Sequence, residues 1–355
     1  MQFPASSAPS QRLGRALTAA ASLAAAVALV SCGSGSGTGT ASSPARSSSP
    51  SGSGATAPVP RRAAGMVTAT VAPFRLPATL SRAVAYPAGD RLLVATGLHD
   101  GDRSTGTVLA IDPQASTVSV AGRLPTAVHD AAGAALAGTP TVFGGGAATE
   151  VGTIQQVDAT GRTARSVGTL PVPTSDAVAL AVQKGVVLAG GYDGIRTLAQ
   201  VLLLSAPGSV RTLSPLPVPV RYPAIAAIGT GNDQRILLFG GESGGVATDA
   251  VQEIDPGSGA VRVVGHLPAR RTQAMAVALG GSIFLAGGAA AGTTGAPVFS
   301  DVLRYDPNAH SFTPAGTLPY ATSDAAVAVI GQTAYLVGGE TPTRTDRTIT
   351  LAPIP

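Results

Sequence analysis

Residues 269–319 contain ARRTQAMAVALGG (269–281), SIFLAGG (282–288), VFSDVLRYDPNAH (298–310) and SFTPAGTLP (311–319). Four short apolar runs are separated by turn chemistry at Gly280-Gly281, Gly287-Gly288 and Asp306-Pro307-Asn308. Each run has the length of a strand, and none is long enough for a comfortable helix. A self-contained four-strand unit invites the question whether it repeats. It does.

Outward from this unit, Leu-Pro recurs at Leu76, Leu124, Leu170, Leu216, Leu267 and Leu318, with spacings of 48, 46, 46, 51 and 51 residues. Midway through each unit an apolar run ends on small residues: LLVATG (92–97), TVFGGG (141–146), VVLAGG (186–191), ILLFGG (236–241), IFLAGG (283–288) and AYLVGG (334–339). A third landmark is an apolar run entering an Asp or Pro turn, as in LAIDP, QQVDATG, LLLSAP, QEIDPGSG and LRYDPNAH. Six units of about 50 residues in this order predict an all-β array of four-stranded sheets.

The order and spacing of these motifs resemble Kelch repeats across 67–355, which implies a six-bladed Kelch-type β-propeller. Ala/Val-rich runs such as 273–279 and 325–330 suit innermost strands crowded at an axis, and the Gly pair suits the sharp turn ending the second strand. Kelch repeats usually carry a Trp in the outer strand and a Tyr in the third. Here Trp is absent, Phe312, Val261 and Val118 stand near its place, and Tyr305 alone represents the Tyr. Aliphatic contacts are therefore expected between blades. After Gly339 only one further strand remains, RTITLAP (347–353), whereas VAPFRLP (71–77) resembles an outer strand without a blade. The N-terminal strand is expected to complete the C-terminal blade and remove the exposed edges.

Composition agrees with a turn-rich β fold: 45 Gly and 28 Pro in 355 residues, and only 12% charged residues. The five arginines of residues 1–62 face no acid, leaving 18 basic and 19 acidic residues in the remainder. That balance argues against a nucleic-acid partner. Arg12 and Arg15 precede an apolar run over 16–30 that is too short for a typical membrane span, the pattern of a secretory signal. Its end, Leu29-Val30-Ser31-Cys32-Gly33, resembles a bacterial lipobox and holds the chain's single cysteine. By that resemblance, 1–31 is a lipoprotein signal peptide and Cys32 the lipidated residue. The Ser/Gly/Pro-rich stretch 32–66 is a disordered tether, and the propeller at 67–355 stands outside the cytoplasm, anchored to the outer face of the cell membrane. An ordinary signal peptide with an incidental cysteine is the alternative.

Counting back from each small-residue pair gives the residue entering the innermost strand: Arg82, Asp130, Asp176, Tyr222, Gln273 and Asp324. Ser81, His129, Ser175, Arg221, Thr272 and Ser323 precede them, and Glu150, Asp193, Glu242 and Glu340 follow the Gly pairs onto the same face. One reading of this ring is structural, with Ser and Asp capping turns by bonding backbone amides. The other is a pocket at the mouth, for which Arg82, His129, Asp130, Asp176, Tyr222, Gln273 and Asp324 are the candidate ligand-binding residues. Asp176 and Asp324 face each other in a six-fold arrangement, but no metal site, cofactor or catalytic residue is assigned. Galactose oxidase-type chemistry requires a cysteine in the propeller, and only Cys32 exists. The expected function is a monomeric, membrane-anchored binding module for a protein, peptide or glycan. The alternatives are an enzyme of the sialic acid mutarotase kind and a passive structural module of the envelope.

Overall fold

The computed structural model describes residues 65–354 except 294. The expected signal segment 1–31, Cys32 and the part of the expected tether up to residue 64 lie outside the described residues. The rest forms six antiparallel sheets, each with four principal strands, arranged as the blades of a propeller. The fifth blade shows the pattern: Met275–Leu279, Ser282–Ala286, Asp301–Asp306 and Ser311–Thr317 run in chain order from the axis outward. The other innermost strands are Val84–Ala88, Ala132–Leu136, Val178–Val182, Ala224–Ile228 and Ala326–Ile330. Their small side chains let neighbours approach closely. A Cβ on Gly133 would lie 2.6 Å from the Val84 Cβ of the preceding blade. Among the described residues the one helix is the short 3-10 turn Gly231–Asp233, and no helix is long and apolar enough to cross a membrane.

Each recurring motif has a structural cause. The Gly pair follows the second strand with both residues in the left-handed region, at 59° and 94° for Gly287 and Gly288. A Cβ on Gly287 would stand 2.3 Å from the Thr322 carbonyl oxygen of the next blade, so backbone packs where a side chain would be. The leucines of the Leu-Pro pairs are all buried, one in each of six separate hydrophobic clusters. Each cluster joins two neighbouring blades. Asp112, Asp255 and Asp306 accept backbone N–H groups at the entry to the fourth strand, fixing that turn.

The interfaces are mainly Leu, Val, Ile and Ala, as expected from the missing tryptophans. Where the fourth and fifth blades meet, an aromatic cluster survives. Tyr305 packs edge-on to Phe239 at 5.3 Å and against Phe312 at 5.0 Å between ring centroids. The Tyr305 hydroxyl also bonds the His310 Nδ1 at 2.8 Å.

The N-terminal strand does close the ring. Val67–Val71 pairs antiparallel with Thr348–Pro353, from Val67 opposite Pro353 to Val71 opposite Ile349. This strand starts four residues before the 71–77 run that resembled an outer strand. Pro73 supplies no N–H to extend the ladder. Phe74 and Leu76 instead pack into the interface of the sixth and first blades.

Candidate functional site at the propeller mouth

The six residues entering the innermost strands form a closed belt around the axis. The backbone N–H of each donates to the carbonyl of the one before: Asp130 to Arg82 at 3.2 Å, Asp176 to Asp130 at 2.8 Å, Tyr222 to Asp176 at 2.9 Å. The circuit continues with Gln273 to Tyr222 at 3.0 Å, Asp324 to Gln273 at 3.1 Å and Arg82 to Asp324 at 2.9 Å. To make these bonds all six residues adopt left-handed backbone, with φ between 51° and 60°. Outside glycine that conformation costs roughly 1–2 kcal/mol per residue, least for Asp and Asn. Glycine would occupy it freely, yet none of the six is glycine in a chain that holds 45.

The side chains turn inward and line a cavity of about 160 Å³. Beneath it the axis continues as an apolar shaft of about 270 Å³ walled by Ala, Val, Ile, Met and Pro side chains. Arg82 reaches across the ring: its Nη1 lies 3.1 Å from Asp130 Oδ2 and 3.3 Å from the hydroxyl of Tyr222 on the opposite side. Its Nε lies 3.3 Å from Glu340 and 3.9 Å from Asp324. Asp324 also accepts the Ser323 hydroxyl at 2.7 Å. Arg221 stacks over both Tyr192 and Tyr222, binds Glu242 through Nε at 2.9 Å, and stands 3.7 Å from Asp176.

Electrostatics follow from this enclosure. Burial pushes Asp176 up to about 7, helped by the like charge of Asp130 and opposed by Ser175, Arg221 and Tyr222. Burial likewise pushes Asp324 up to about 7, against the pull of Arg82. Asp130 is raised by burial despite Arg82 and His129 beside it. Burial alone would lower Arg82, but Asp130, Asp324, Tyr222 and Glu340 hold its guanidinium above the ordinary arginine value. The Tyr222 hydroxyl is raised by burial and by the carboxylates of Asp130 and Asp176. Two carboxyl groups poised near neutrality and one fixed guanidinium can both donate and accept hydrogen bonds toward a polar guest.

Six of the seven residues singled out from the sequence meet in this cavity. His129 stands just outside it, with Nδ1 at 2.8 Å from Ser104 Oγ and Nε2 at 3.8 Å from Asp130. Turn capping by the ring carboxylates is not observed: among the described residues, none of the three accepts a backbone N–H. No group of three or more His, Cys, Asp or Glu has metal-binding geometry among the described residues. The sequence reading gave no role to Arg344 or Tyr192. Arg344 Nε donates to Ser81 Oγ at 3.1 Å and its Nη2 to Asp102 at 2.6 Å, tying the sixth blade to the first above the ring. The signal for Tyr192 was present, since it follows Gly191 as Glu242 and Glu340 follow their own pairs.

A sequence profile of the Kelch motif matches residues 270–319, the fifth blade. Among solved structures, one titled "Structure of YjhT" is similar with a TM-score of 0.65 and 15% identity, over 77% of this chain and 95% of that chain. At that identity the likeness shows the fold alone. No curated protein sequence matches the chain. The chain is a six-bladed β-propeller carrying a Kelch motif.

Proposed function

We propose that this protein is a binding module, lipid-anchored through Cys32 outside the cytoplasm, whose propeller mouth takes a polar group of a protein, peptide or glycan. One observation carries the reading. All six axial positions hold a side chain in left-handed backbone where glycine is free of strain; they are six of the eleven such non-glycine residues among those described, and that concentration around the axis supports a role for their side chains. The belt itself needs only backbone atoms, so its geometry does not account for them.

The test is capture of ligand from envelope extract by the detergent-solubilised full chain, compared with the Asp176→Asn/Asp324→Asn variant. Loss of capture in a variant with unchanged thermal unfolding supports the mouth as the binding site. Equal capture by both proteins overturns it, and no capture by either leaves the passive envelope module as the better reading. The anchor has a separate test by cell fractionation. Cys32→Ala is expected to leave the membrane fraction, and persistence there removes the lipid anchor from the proposal.

Asp176 and Asp324, both near 7, favour a second reading, because an acid–base pair working at neutral pH needs that proton affinity. On that reading the protein is a small-molecule enzyme of the sugar mutarotase kind. Interconversion of sialic acid anomers followed by NMR decides it: acceleration by the wild type, lost in the double variant, is required.

A further inference from the structure

The two halves of the ring differ in how fully their hydrogen-bonding groups are satisfied. On the side of the sixth, first and second blades, Arg82 engages Asp130, Glu340 and Asp324, and Ser323 engages Asp324. On the side of the third to fifth blades, Asp176 has the Ser175 and Tyr222 hydroxyls as neighbours, while Arg221 Nη1 stands at 3.7 Å, beyond hydrogen-bond reach, so no cation pairs with it directly. Arg221 directs its Nε and Nη2 to Glu242 instead. Gln273 is 9% exposed and lines the cavity, yet its carboxamide has no hydrogen-bond partner among the described residues. The carboxamide faces the cavity without a protein partner, so its hydrogen bonds are available to a guest that enters there.

Charge narrows the guest. The ring and its direct ion-pair partners comprise four carboxylates (Asp130, Asp176, Asp324, Glu340) and two guanidinium groups (Arg82, Arg221), a formal excess of two negative charges when all are ionised. A carboxylate or phosphate guest is repelled there, a neutral polyol gains nothing from the excess, and a cation is drawn in. The surroundings narrow it further. Val172 and Ile195, on loops, and Val246, in the short strand Val246–Ala247, are 40%, 88% and 54% exposed on the connections that share the face of the ring. Exposed aliphatic side chains beside a polar mouth suit a peptide with apolar residues next to its charged one.

We propose that the open half of the mouth takes the primary ammonium of a peptide lysine, donating to the Asp176 carboxylate and the Gln273 carboxamide oxygen. Val172, Ile195 and Val246 then receive the apolar residues flanking that lysine. This rests on the reading of the mouth as a binding site. A lysine fits better than an arginine because its compact ammonium can donate to both acceptors in a small cavity, whereas a second planar guanidinium would compete with Arg82 for space.

The test is calorimetric titration of the detergent-solubilised full chain with acetyl-Leu-Lys-Leu-amide and with the same peptide acetylated on its lysine Nζ. We expect the free amine to bind roughly tenfold or more tightly than the acetylated peptide, and Asp176→Asn to remove that preference. Gln273→Ala is expected to weaken the free amine by roughly threefold to tenfold. Affinity should rise between pH 5.5 and 8.5, where the amine stays charged while Asp176 and Asp324 ionise through about 7. Asp130, Glu340, Arg82, Arg221 and Tyr222 also face these carboxylates, and His129 faces Asp130, so His129→Gln is the control for that neighbour.

Equal binding of the two peptides, or none up to about 10 mM, overturns the proposal without reference to any variant's folding. If neutral oligosaccharides bind in an Asp176-dependent way while the amine does not, the lysine assignment falls and the binding mouth stands. If neither these probes nor capture from extract depends on the ring, both fall together.

Discussion

At the scale of single residues, the ring stores an unfavourable protonation equilibrium. Asp176 and Asp324 move from 3.8 to about 7 on folding, so between those values the folded chain holds protons that the unfolded chain has released. A state that binds more protons is stabilised as pH falls, and these two groups therefore cost stability as pH rises from about 4 to about 7, with no further change above. The measurement is urea unfolding of wild type and Asp176→Asn/Asp324→Asn at pH 4.5 and 7.5. Stability of the variant relative to wild type should be higher at pH 7.5 than at pH 4.5 by roughly 4–7 kcal/mol, and a pH-independent difference would show that the carboxyls ionise normally. The identity of the ring residues was legible in the sequence because five of them stand 14 residues before a small-residue pair and Tyr222 stands 18 before its own, across a longer first hairpin. Their conformation was not, because nothing in an alternation pattern marks a left-handed residue unless it is glycine. The same blind spot hides Thr96, which holds a φ of 65° where the other five blades have glycine and buries a hydroxyl with no partner among the described residues.

At the scale of elements, the two most regular landmarks of the repeat prove to be packing devices. Leu-Pro marks where a leucine enters the seam between blades, and the Gly pair marks where one blade's turn touches the next blade's backbone. The sequence indicated that small residues were needed at the second motif, and the coordinates supply the contact that needs them. Position should then matter more than conformation. Gly287→Ala places a Cβ 2.3 Å from the Thr322 carbonyl oxygen, whereas Gly281→Ala, with φ of 77°, meets nothing within 4 Å. We expect Gly281→Ala to cost about 1–2 kcal/mol from backbone strain alone, and Gly287→Ala to cost about 3 kcal/mol or more because two blades must separate. Chemical unfolding of the two variants side by side makes the comparison, and equal losses would mean that the interblade contact relaxes without penalty. Tyr305 shows the opposite relation between sequence and structure. As the lone family-like tyrosine it looked like a relic, yet it is fully packed between Phe239 and Phe312.

At the scale of the whole molecule, six blades of unequal sequence become one body because the chain's ends are joined. The missing strand of the last blade and the spare strand at the start were both visible in the sequence, so closure was legible. The register was not, since the 71–77 run and the true closing strand 67–71 have similar apolar character and Pro73 decides between them. The interior consequence is that Val67 is 4% exposed, within a cluster that includes Ala315 and Leu318 of the fifth blade and Leu336, Ile349 and Leu351 of the sixth. Removing the strand therefore does two things at once. It uncovers that cluster and leaves Thr348–Pro353 as an unpaired edge, an invitation to pair with another chain. Burying a valine contributes about 1.5–3 kcal/mol, and the lost ladder adds to it. A full chain lacking 67–71 is expected to lose roughly 3–5 kcal/mol, which at 2–4 °C per kcal/mol is a fall in Tm of about 6–20 °C. Size-exclusion chromatography should show oligomers in the deletion that are absent from the parent, because the open edge is the one new adhesive surface. A deletion of the same length at 40–44 should leave both measurements unchanged. If removal of 67–71 leaves Tm and elution unaltered, the sixth blade closes without its N-terminal strand, and the ring is held by the belt of axial hydrogen bonds and the interblade clusters alone.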